Sequence, residues 1–306
     1  MINADAKKQI QFLIGVDGGG TGTRVVLADV AGAQLGRGSA GPSGLMHGIE
    51  PAWRAIISAV EQAFVDAGLG VPSYSQIALG CGLAGVNNKQ WAAEFLAGNP
   101  GFAEVVAETD AGTTLLGAHQ GDPGVVIALG TGSVGEVMQA DGSRREVGGW
   151  GFPTSDEASG AWLGLRAMNH VQHVLDGRSA PDDFSAALIA YCKGDMNDAR
   201  EAIFQWLASA NQTSFAQLAP IVIQLAGIVP RATEIMFEAG VQVAKMAQAL
   251  DPSGQMPIAL CGGLAEPMRA YLPQELKSRV IKPQSDSAAG ALILLKKHFL
   301  KRLSQG

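Results

Sequence analysis

Gly15-Val16-Asp17-Gly18-Gly19-Gly20-Thr21-Gly22-Thr23 is the stretch of this sequence that decides the fold. It lies between two apolar segments, residues 10–16 and 24–29, that are predicted to be neighbouring strands of a meander. Successive glycines let the backbone approach a ligand closely, and successive N–H groups in such a turn form an anion-binding concavity. Asp17 would repel a phosphate unless Mg²⁺ lay between them, directly or through water. A plain hairpin needs one or two glycines, so this stretch favours a phosphate-binding loop.

A second glycine turn follows another apolar strand, predicted at residues 124–129. Gly130-Thr131-Gly132-Ser133 begins a literal G-x-G-x-x-G match that ends at Gly135. The dinucleotide fingerprint requires a helix directly after its glycines, whereas residues 136–142 are predicted to be strand and turn. No Walker A motif occurs in the sequence. We therefore expect a second phosphate clamp and not a Rossmann fold.

The order of elements around the two turns is similar. Each turn is preceded by a strand and followed by two further strands and then by helices, with a mainly helical stretch from residue 157 to about 250. This order indicates an internal duplication of topology and predicts an α/β protein with a cleft between two lobes. The first lobe is expected at residues 1–118 and the second at residues 119–306. The pattern leaves open where the final helix, from about residue 287 to 303, packs.

A third glycine segment and two acidic residues have two interpretations each. Gly262 and Gly263 follow a short strand, so they form either a tight strand–helix turn or a surface for a flat base at a helix N-terminus. Asp110 precedes a predicted helix and is either its N-cap or a general base at a strand end. Asp156 lies inside a possible capping box, Thr154 to Glu157, yet its glycine-rich lead-in suggests a ligand.

Composition excludes several classes of protein. The 22 Lys and Arg residues are outnumbered by 28 Asp and Glu and are not clustered, so no nucleic-acid partner is expected. Apolar runs such as residues 125–129 are far shorter than the roughly 20 residues of a membrane span. Cys81, Cys192 and Cys261 are too far apart in sequence for a disulfide framework or a metal pair, which favours the cytoplasm. The tryptophans are expected in the core, with Trp150 the exception because of its glycine neighbours.

Taken in chain order, the motifs resemble those of the BadF/BadG/BcrA/BcrD ATPase family and, within it, the N-acetylglucosamine and glucosamine kinases. The matching segments cover nearly the whole chain and are Asp17-Gly18-Gly19-Gly20-Thr21, Thr109-Asp110-Ala111, Gly130-Thr131-Gly132-Ser133, Gly149-Trp150-Gly151, Asp156-Glu157 and Cys261-Gly262-Gly263. The resemblance implies the actin-like ATPase fold, with two lobes of ribonuclease H type that close around ATP in a central cleft.

The resemblance also implies roles for individual residues. The residues expected to bind ATP are Gly18, Gly19, Gly20, Thr21, Thr23, Gly130, Thr131, Gly132, Ser133, Gly262 and Gly263. Asp17 would hold Mg²⁺ through water, and Asp110 would accept the proton of the sugar hydroxyl. The residues expected to contact the sugar are Ser43, Asp110, Trp150, Gly151 and Asp156.

One segment departs from the family. Its sugar-side loop commonly ends in Asn, but Gly41-Pro42-Ser43-Gly44 stands here, so an amide contact to the sugar is absent or supplied elsewhere. The expected activity is ATP-dependent phosphorylation of glucosamine or N-acetylglucosamine, at the 6-hydroxyl, by a protein compatible with a homodimer. The alternative is an ATPase that drives a conformational change in a partner protein. The dehydratase activators of the family hold an iron–sulfur cluster with cysteines, and the three cysteines here make no convincing pair.

Overall fold

The computed structural model describes residues 10–194 and 197–304. By its internal contacts the chain forms two units, one of Met1–Pro123 with Lys282–Gly306 and one of Gly124–Ile281. The expected division after residue 118 differs from this at two points. The second unit begins slightly later, and the chain returns to the first unit for its final helix, the packing of which the sequence pattern left open.

The first unit is built on a five-stranded sheet in the order β3-β2-β1-β4-β5. Strand β2 is antiparallel to both of its neighbours, β1 and β3, whereas β4 and β5 run parallel to β1. The strands are β1 Phe12–Gly18, β2 Thr23–Asp29, β3 Gln34–Ala40, β4 Ile77–Leu83 and β5 Glu104–Glu108. The helices of this unit are α1 Ile49–Asp66, α2 Lys89–Ala97, α3 Asp110–Ala118 and α12 Ser287–Ser304.

Side chains alternate between the two faces of this sheet, and apolar ones point to both. Helices therefore cover both faces. Ile14 and Val16 of β1 face the core that α1 closes, and α1 contributes to it buried residues at helical spacing. Leu13 faces the other way, where α12 supplies Leu292 and Leu295. Both faces of β1 are therefore buried, as its almost continuous apolar run predicts.

The second unit repeats this topology around β6. Its sheet order is β10-β9-β6-β7-β8, with β7 and β8 antiparallel to their neighbours and β9 and β10 parallel to β6. The strands are β6 Gly124–Leu129, β7 Ser133–Met138, β8 Arg144–Gly148, β9 Ile258–Cys261 and β10 Val280–Ile281. Relative to the first strand of each unit, order and directions are identical, which confirms the predicted duplication of topology.

Within the described residues, the predicted helical stretch of the second unit contains six helices, which two short ones follow. The helices are α4 Gly160–Leu175, α5 Asp183–Tyr191, α6 Ala199–Ser209, α7 Gln212–Ala216, α8 Ala219–Leu225, α9 Pro230–Leu250, α10 Ala265–Met268 and α11 Gln274–Lys277. The capping box expected at Thr154 is wrong, because the N-cap of α4 is Ser159, which accepts the N–H of Trp162 at 3.1 Å. Asp156 and Ala158 both have φ of 66°, a left-handed backbone that cannot begin a right-handed helix.

In the described parts of the chain no single helix is both long and apolar enough to cross a membrane. One pair, Gln212–Leu225 with Pro230–Leu250, passes by length and composition when taken together, and it is bent by 113° at the break between its members.

Candidate functional site

The predicted site residues lie at one edge of their own sheet, where the parallel strands end. In the first unit they follow β1, β3 and β5, and in the second unit they follow β6, β8 and β9. These strands run in the same direction within each sheet. Open α/β sheets bind ligands outside the carboxyl ends of their strands. Each unit therefore presents its predicted residues at the edge that such sheets use for binding.

The first glycine turn has no internal need for most of its glycines. Gly18 pairs with Thr23, and the N–H of Gly19 donates to the carbonyl of Gly22 at 3.0 Å. None of the turn's glycines has a positive φ. A Cβ on Gly19, Gly20 or Gly22 would find its nearest neighbour 3.5–4.0 Å away, which is ordinary contact. Neither backbone conformation nor packing demands glycine at these three positions, which supports the close approach of a ligand.

Two predicted hydroxyls hold this turn to the loop after β3. Thr23 Oγ1 lies 2.6 Å from the carbonyl oxygen of Gly41 and 2.7 Å from Ser43 Oγ, and both side chains are buried. The backbone N–H groups of Ser43 and Gly44 donate to the carbonyl of Gly19 at 3.2 and 3.0 Å. The hydroxyls of Thr23 and Ser43 thus have partners within the protein. The ligand contacts predicted for these two residues stay predictions.

Gly44, the position at which the resemblance leads us to expect Asn, is closely packed. A Cβ there would press on the sulfur of Met46 and would lie 3.3 Å from the backbone of Gly19. A larger residue would therefore push against the first turn itself. Glycine in place of the expected Asn at position 44 therefore fits the close packing of this loop against the first turn.

Asp17 is the second-last residue of β1 and lies among other charged groups. Burial raises its pKa, and the charges of Asp110 and Asp286 raise it further. A hydrogen bond from Ser287 and the charge of Arg24, whose Nη1 lies 3.7 Å away, act in the opposite direction. A cation beside Asp17 would relieve this accumulation of negative charge.

Magnesium held through water fits these residues better than a metal held wholly by protein. The described residues contain no group of three or more His, Cys, Asp or Glu side chains that could hold a metal ion. Mg²⁺ usually keeps several waters and is bound by one or two carboxylates together with phosphates. Asp17, next to a turn with accessible backbone N–H groups, meets that description.

Asp110 is the first residue of α3, and only Thr109 separates it from the end of β5. The interpretation of Asp110 as N-cap is wrong, because the cap is Thr109, whose hydroxyl accepts the N–H of Gly112 at 3.0 Å. One oxygen of Asp110 accepts the N–H of Ala111 at 3.0 Å. Burial raises the pKa of Asp110, and the Ala111 hydrogen bond partly opposes the rise. A carboxylate with a raised pKa is a stronger general base once ionised.

The second glycine turn is constructed like the first. The N–H of Gly130 donates to the carbonyl of Gly132 at 2.9 Å, and neither residue has a positive φ. The Ser133 hydroxyl donates to the carbonyl of Glu157 at 2.7 Å, and the N–H of Gly160 donates to the carbonyl of Gly130 at 2.8 Å. A Cβ on Gly130 would find only the carbonyl of Gly132, 4.0 Å away.

Asp156 lies against this second turn. Its Oδ1 accepts the N–H of Ser133 at 3.1 Å and its Oδ2 accepts the amide of Gln212 at 2.7 Å. A Cβ on Gly132 would lie 3.0 Å from the Asp156 carboxylate. Burial raises the pKa of Asp156, and the Ser133 hydrogen bond opposes the rise. The side chain is only 4% exposed, so its predicted contact with a sugar stays a prediction.

In the third glycine segment, backbone conformation and packing explain glycine at position 262 but not at position 263. Gly262 has a φ of 89°, and a Cβ there would meet the carbonyl oxygen of Leu129. The N–H of Leu264 donates to that same oxygen at 3.1 Å. A tight turn therefore accounts for Gly262, whereas a Cβ on Gly263 would meet nothing within 4 Å. The predicted contact with the nucleotide base depends on Gly263.

Trp150 follows β8 and is 87% exposed. It is flanked by Gly148, Gly149 and Gly151, whose φ values are 80°, 72° and 94°. Trp53 and Trp162 are buried, as expected of core tryptophans. The Trp150 indole is thus presented on a left-handed glycine segment, where it is accessible for stacking on a ligand.

Sequence reasoning missed three polar residues around these groups. Ser287 lowers the pKa of Asp17, Asp286 pairs with Arg37 at 2.7 Å, and Gln212 donates to Asp156. Ser287 and Asp286 stand at the start of an apolar helix, where the local pattern suggests capping and nothing else. Gln212 carries no signal in the sequence.

Comparisons of this chain with protein families, curated proteins and solved structures agree with one another. A model of the BadF/BadG/BcrA/BcrD ATPase family matches residues 14–294. A glucosamine kinase of Vibrio cholerae is 31% identical over 286 residues, which are 93% of this chain and 95% of that protein. The solved structure of a proposed N-acetylglucosamine kinase from Chromobacterium violaceum is 47% identical, with a TM-score of 0.89, and the match covers 94% of this chain and 99% of that one.

A more distant structure shows the fold alone. A ROK family glucokinase from Streptomyces griseus, solved with glucose and AMPPNP, is 17% identical, with a TM-score of 0.51 over 92% of this chain and 97% of that one. Together with the two strand orders, this match confirms the expected α/β fold of actin-like ATPase type, with a ribonuclease H-like sheet in each unit.

Proposed function

Because the chain belongs to the BadF/BadG/BcrA/BcrD ATPase family, we propose that it transfers the terminal phosphoryl group of ATP to glucosamine or N-acetylglucosamine, at the 6-hydroxyl. Relatives named as kinases of these two sugars support the substrate class. The observation that carries the proposal is Asp110, a partly buried carboxylate with a raised pKa at the carboxyl edge of its sheet.

Phosphoryl transfer needs positioning and charge neutralisation more than protein nucleophiles. Asp110 orients the attacking hydroxyl and accepts its proton as the sugar oxygen bonds to the terminal phosphorus, while the bond from that phosphorus to the bridging oxygen breaks and ADP leaves. The turns Gly18–Thr23 and Gly130–Ser133 are the proposed phosphate loops, which donate backbone N–H groups. Magnesium, held through water by Asp17, would neutralise phosphate charge.

The sugar side of the proposal assigns Ser43, Trp150, Gly151 and Asp156 to the substrate. The exposed indole of Trp150 is suited to stack on the apolar face of a hexose. A carboxylate has about four lone-pair sites, so the two hydrogen bonds of Asp156 leave capacity for a sugar hydroxyl.

The experiment measures ADP release with magnesium and ATP alone, then with each amino sugar, then with 6-deoxyglucosamine. The proposal expects ADP release that depends on glucosamine or N-acetylglucosamine and disappears with the 6-deoxy analogue. Release at the full rate without sugar would contradict it and favour the ATPase that drives a partner protein. Turnover of the 6-deoxy analogue would refute the 6-hydroxyl as acceptor.

A further inference from the structure

In the second unit the short helix α7 lies directly against α4. A Cβ on Gly164 of α4 would meet the carbonyl oxygen of Phe215, and a Cβ on Gly160 would lie 3.2 Å from the Cβ of Ala216. The two glycines are four residues apart, so they share one face of α4. This glycine face lets the backbone of α7 approach α4 closely.

Two contacts connect this pair of helices with the second glycine turn and with the loop that carries Asp156. The N–H of Gly160, the first residue of α4, donates to the carbonyl of Gly130 at 2.8 Å. The ring of Phe215 in α7 packs against the ring of Phe152, four residues before Asp156, with 5.2 Å between their centroids. Helix α7 therefore has a fixed place beside the Asp156 loop.

Gln212, the first residue of α7, holds one oxygen of the Asp156 carboxylate from this place. Its Nε2 donates to Oδ2 of Asp156 at 2.7 Å, while the backbone N–H of Ser133 donates to Oδ1 at 3.1 Å. Each oxygen thus accepts from a different element, one from α7 and one from the second turn. A carboxylate held at both oxygens cannot rotate without losing a hydrogen bond to its charge.

The surroundings of Asp156 make the orientation of its side chain dependent on these donors. Its backbone has a φ of 66°, and its side chain is buried. A residue other than glycine keeps such a backbone only where its surroundings determine it, and a buried carboxylate must be hydrogen-bonded. Burial raises the pKa of Asp156, whereas the hydrogen bonds from Ser133 and Gln212 lower it and favour the ionised form.

We propose that Gln212 is a positioning residue, which holds the Asp156 carboxylate in the orientation that accepts a hydroxyl of the sugar. This inference rests on the proposed function, which assigns Asp156 to the substrate. A carboxylate has about four lone-pair sites, so the donors from Ser133 and Gln212 leave the others pointing in fixed directions. A sugar hydroxyl then meets an acceptor that is already oriented, which reduces the entropy lost on binding.

The test measures kcat and the KM for the amino sugar in Gln212→Met, together with calorimetry of a non-hydrolysable ATP analogue without sugar. Methionine keeps the length of the side chain and removes the donor. We expect KM to rise about tenfold, because a hydrogen bond to a charged group is lost. Both kcat and nucleotide affinity should change by less than about twofold, because the lost interaction acts equally on bound sugar and on the transition state.

The matched control is Gln217→Met, at the residue that follows the other end of α7. Gln217 Oε1 accepts the hydroxyl of Tyr191 at 3.2 Å, so this variant removes a glutamine hydrogen bond that does not involve Asp156. It should leave the sugar KM unchanged. A rise in KM equal to that of Gln212→Met would overturn the positioning role, because it would reflect a disturbance of α7 in general.

A double-mutant cycle tests whether Gln212 acts through Asp156. In an Asp156→Ala background, Gln212→Met should have no further effect on KM, because no carboxylate remains to be oriented. An equal rise in KM in both backgrounds would overturn the proposal, and so would an unchanged KM in the single variant or equal losses of sugar and nucleotide affinity. Failure of the wild-type protein to release ADP in response to either sugar would instead refute the proposed function.

Discussion

The two glycine turns of this protein are the same structural device with different chemistry. In each turn one glycine, Gly19 or Gly130, donates its N–H to the carbonyl of a second glycine across the turn. The carbonyl of the same glycine accepts an N–H from a segment later in the chain. In each, the residue that begins the next strand, Thr23 or Ser133, ties the turn to that later loop through a buried hydroxyl. The duplication therefore extends to the hydrogen bonds within the turns.

The carboxylates distinguish the two turns. Gly18 pairs with Thr23 and Leu129 pairs with Ser133, so the position of Asp17 in the first turn corresponds to Ala128 in the second. The acid at the second turn, Asp156, comes from a later loop and accepts a turn N–H itself. The two turns therefore share their backbone hydrogen bonds and differ in the origin of their acid, which comes from the preceding strand at the first turn and from a later loop at the second.

The largest expected effect concerns the acid chemistry of the first unit. Asp110→Asn should lower kcat by about 10²- to 10⁴-fold, the usual contribution of general acid–base catalysis, while nucleotide affinity is retained. Asp122→Asn, at an exposed position just beyond α3, is the control. Steady-state kinetics and calorimetry measure the two quantities, and full turnover by Asp110→Asn would remove this residue from the mechanism.

The same substitution has an expected effect on stability with a defined sign. Burial raises the pKa of Asp110 in the folded protein, so the ionised form is destabilised relative to the unfolded chain at pH values above the raised pKa. Asp110→Asn should therefore raise Tm at pH 7. The gain should vanish as pH falls below about 3.9, where both states are protonated. Thermal unfolding at several pH values would show an equal or lower Tm at pH 7 if this account is wrong.

The second expected effect tests whether both turns bind phosphate through their backbone. Gly20→Ala and Gly130→Ala should each weaken nucleotide binding by about tenfold or more, because a methyl group keeps the phosphate from the backbone donors. Stability should change by no more than about 0.5 kcal/mol, since a Cβ fits at both positions. Gly15→Ala provides the contrast, because its Cβ would collide with α12 and lower stability. Unchanged affinity in one turn variant would confine phosphate binding to the other turn.

The third expected effect concerns the acid at the second turn. Asp156→Ala should lower the free energy of unfolding by about 1–3 kcal/mol, because the N–H of Ser133 and the amide of Gln212 both lose their acceptor. Glu157→Ala, next to it in sequence, should change stability by less than about 0.5 kcal/mol. Urea unfolding compares the two, and an Asp156→Ala protein as stable as wild type would show that the second turn does not need its acid.

Local patterns predicted the strands and the duplication because both depend on short apolar runs. Strand β6 begins and ends at the expected residues, and the final helix begins at Ser287 as expected. Where the prediction failed, a distant residue decided the outcome. The capping box at Thr154 is a sound local pattern, but Asp156 is drawn to the N–H of Ser133, and the helix begins only at Gly160.

The candidate site was predictable in its glycines and acids and not in its supports. Asp17 and Asp110 stand at strand ends next to motifs that can be recognised in the sequence. Helix α12 lies directly on the sheet because Gly15 and Gly80, far away in the chain, leave room for its backbone. No periodicity connects these glycines with α12, so the packing of the final helix required the structure.

The smallest expected effect tests whether the hydroxyls of Thr23 and Ser133 stabilise their turns equally. Thr23→Val and Ser133→Ala should each lower the free energy of unfolding by about 1 kcal/mol, because each removes one hydrogen bond from a buried hydroxyl to a backbone carbonyl. Urea unfolding should therefore give similar losses for the two variants, and calorimetry should give nearly unchanged nucleotide affinity. If a hydroxyl binds phosphate directly, its variant would instead lose affinity and keep its stability. A difference of that kind between Thr23 and Ser133 would show that the two turns differ in the role of their hydroxyl as well as in the origin of their acid.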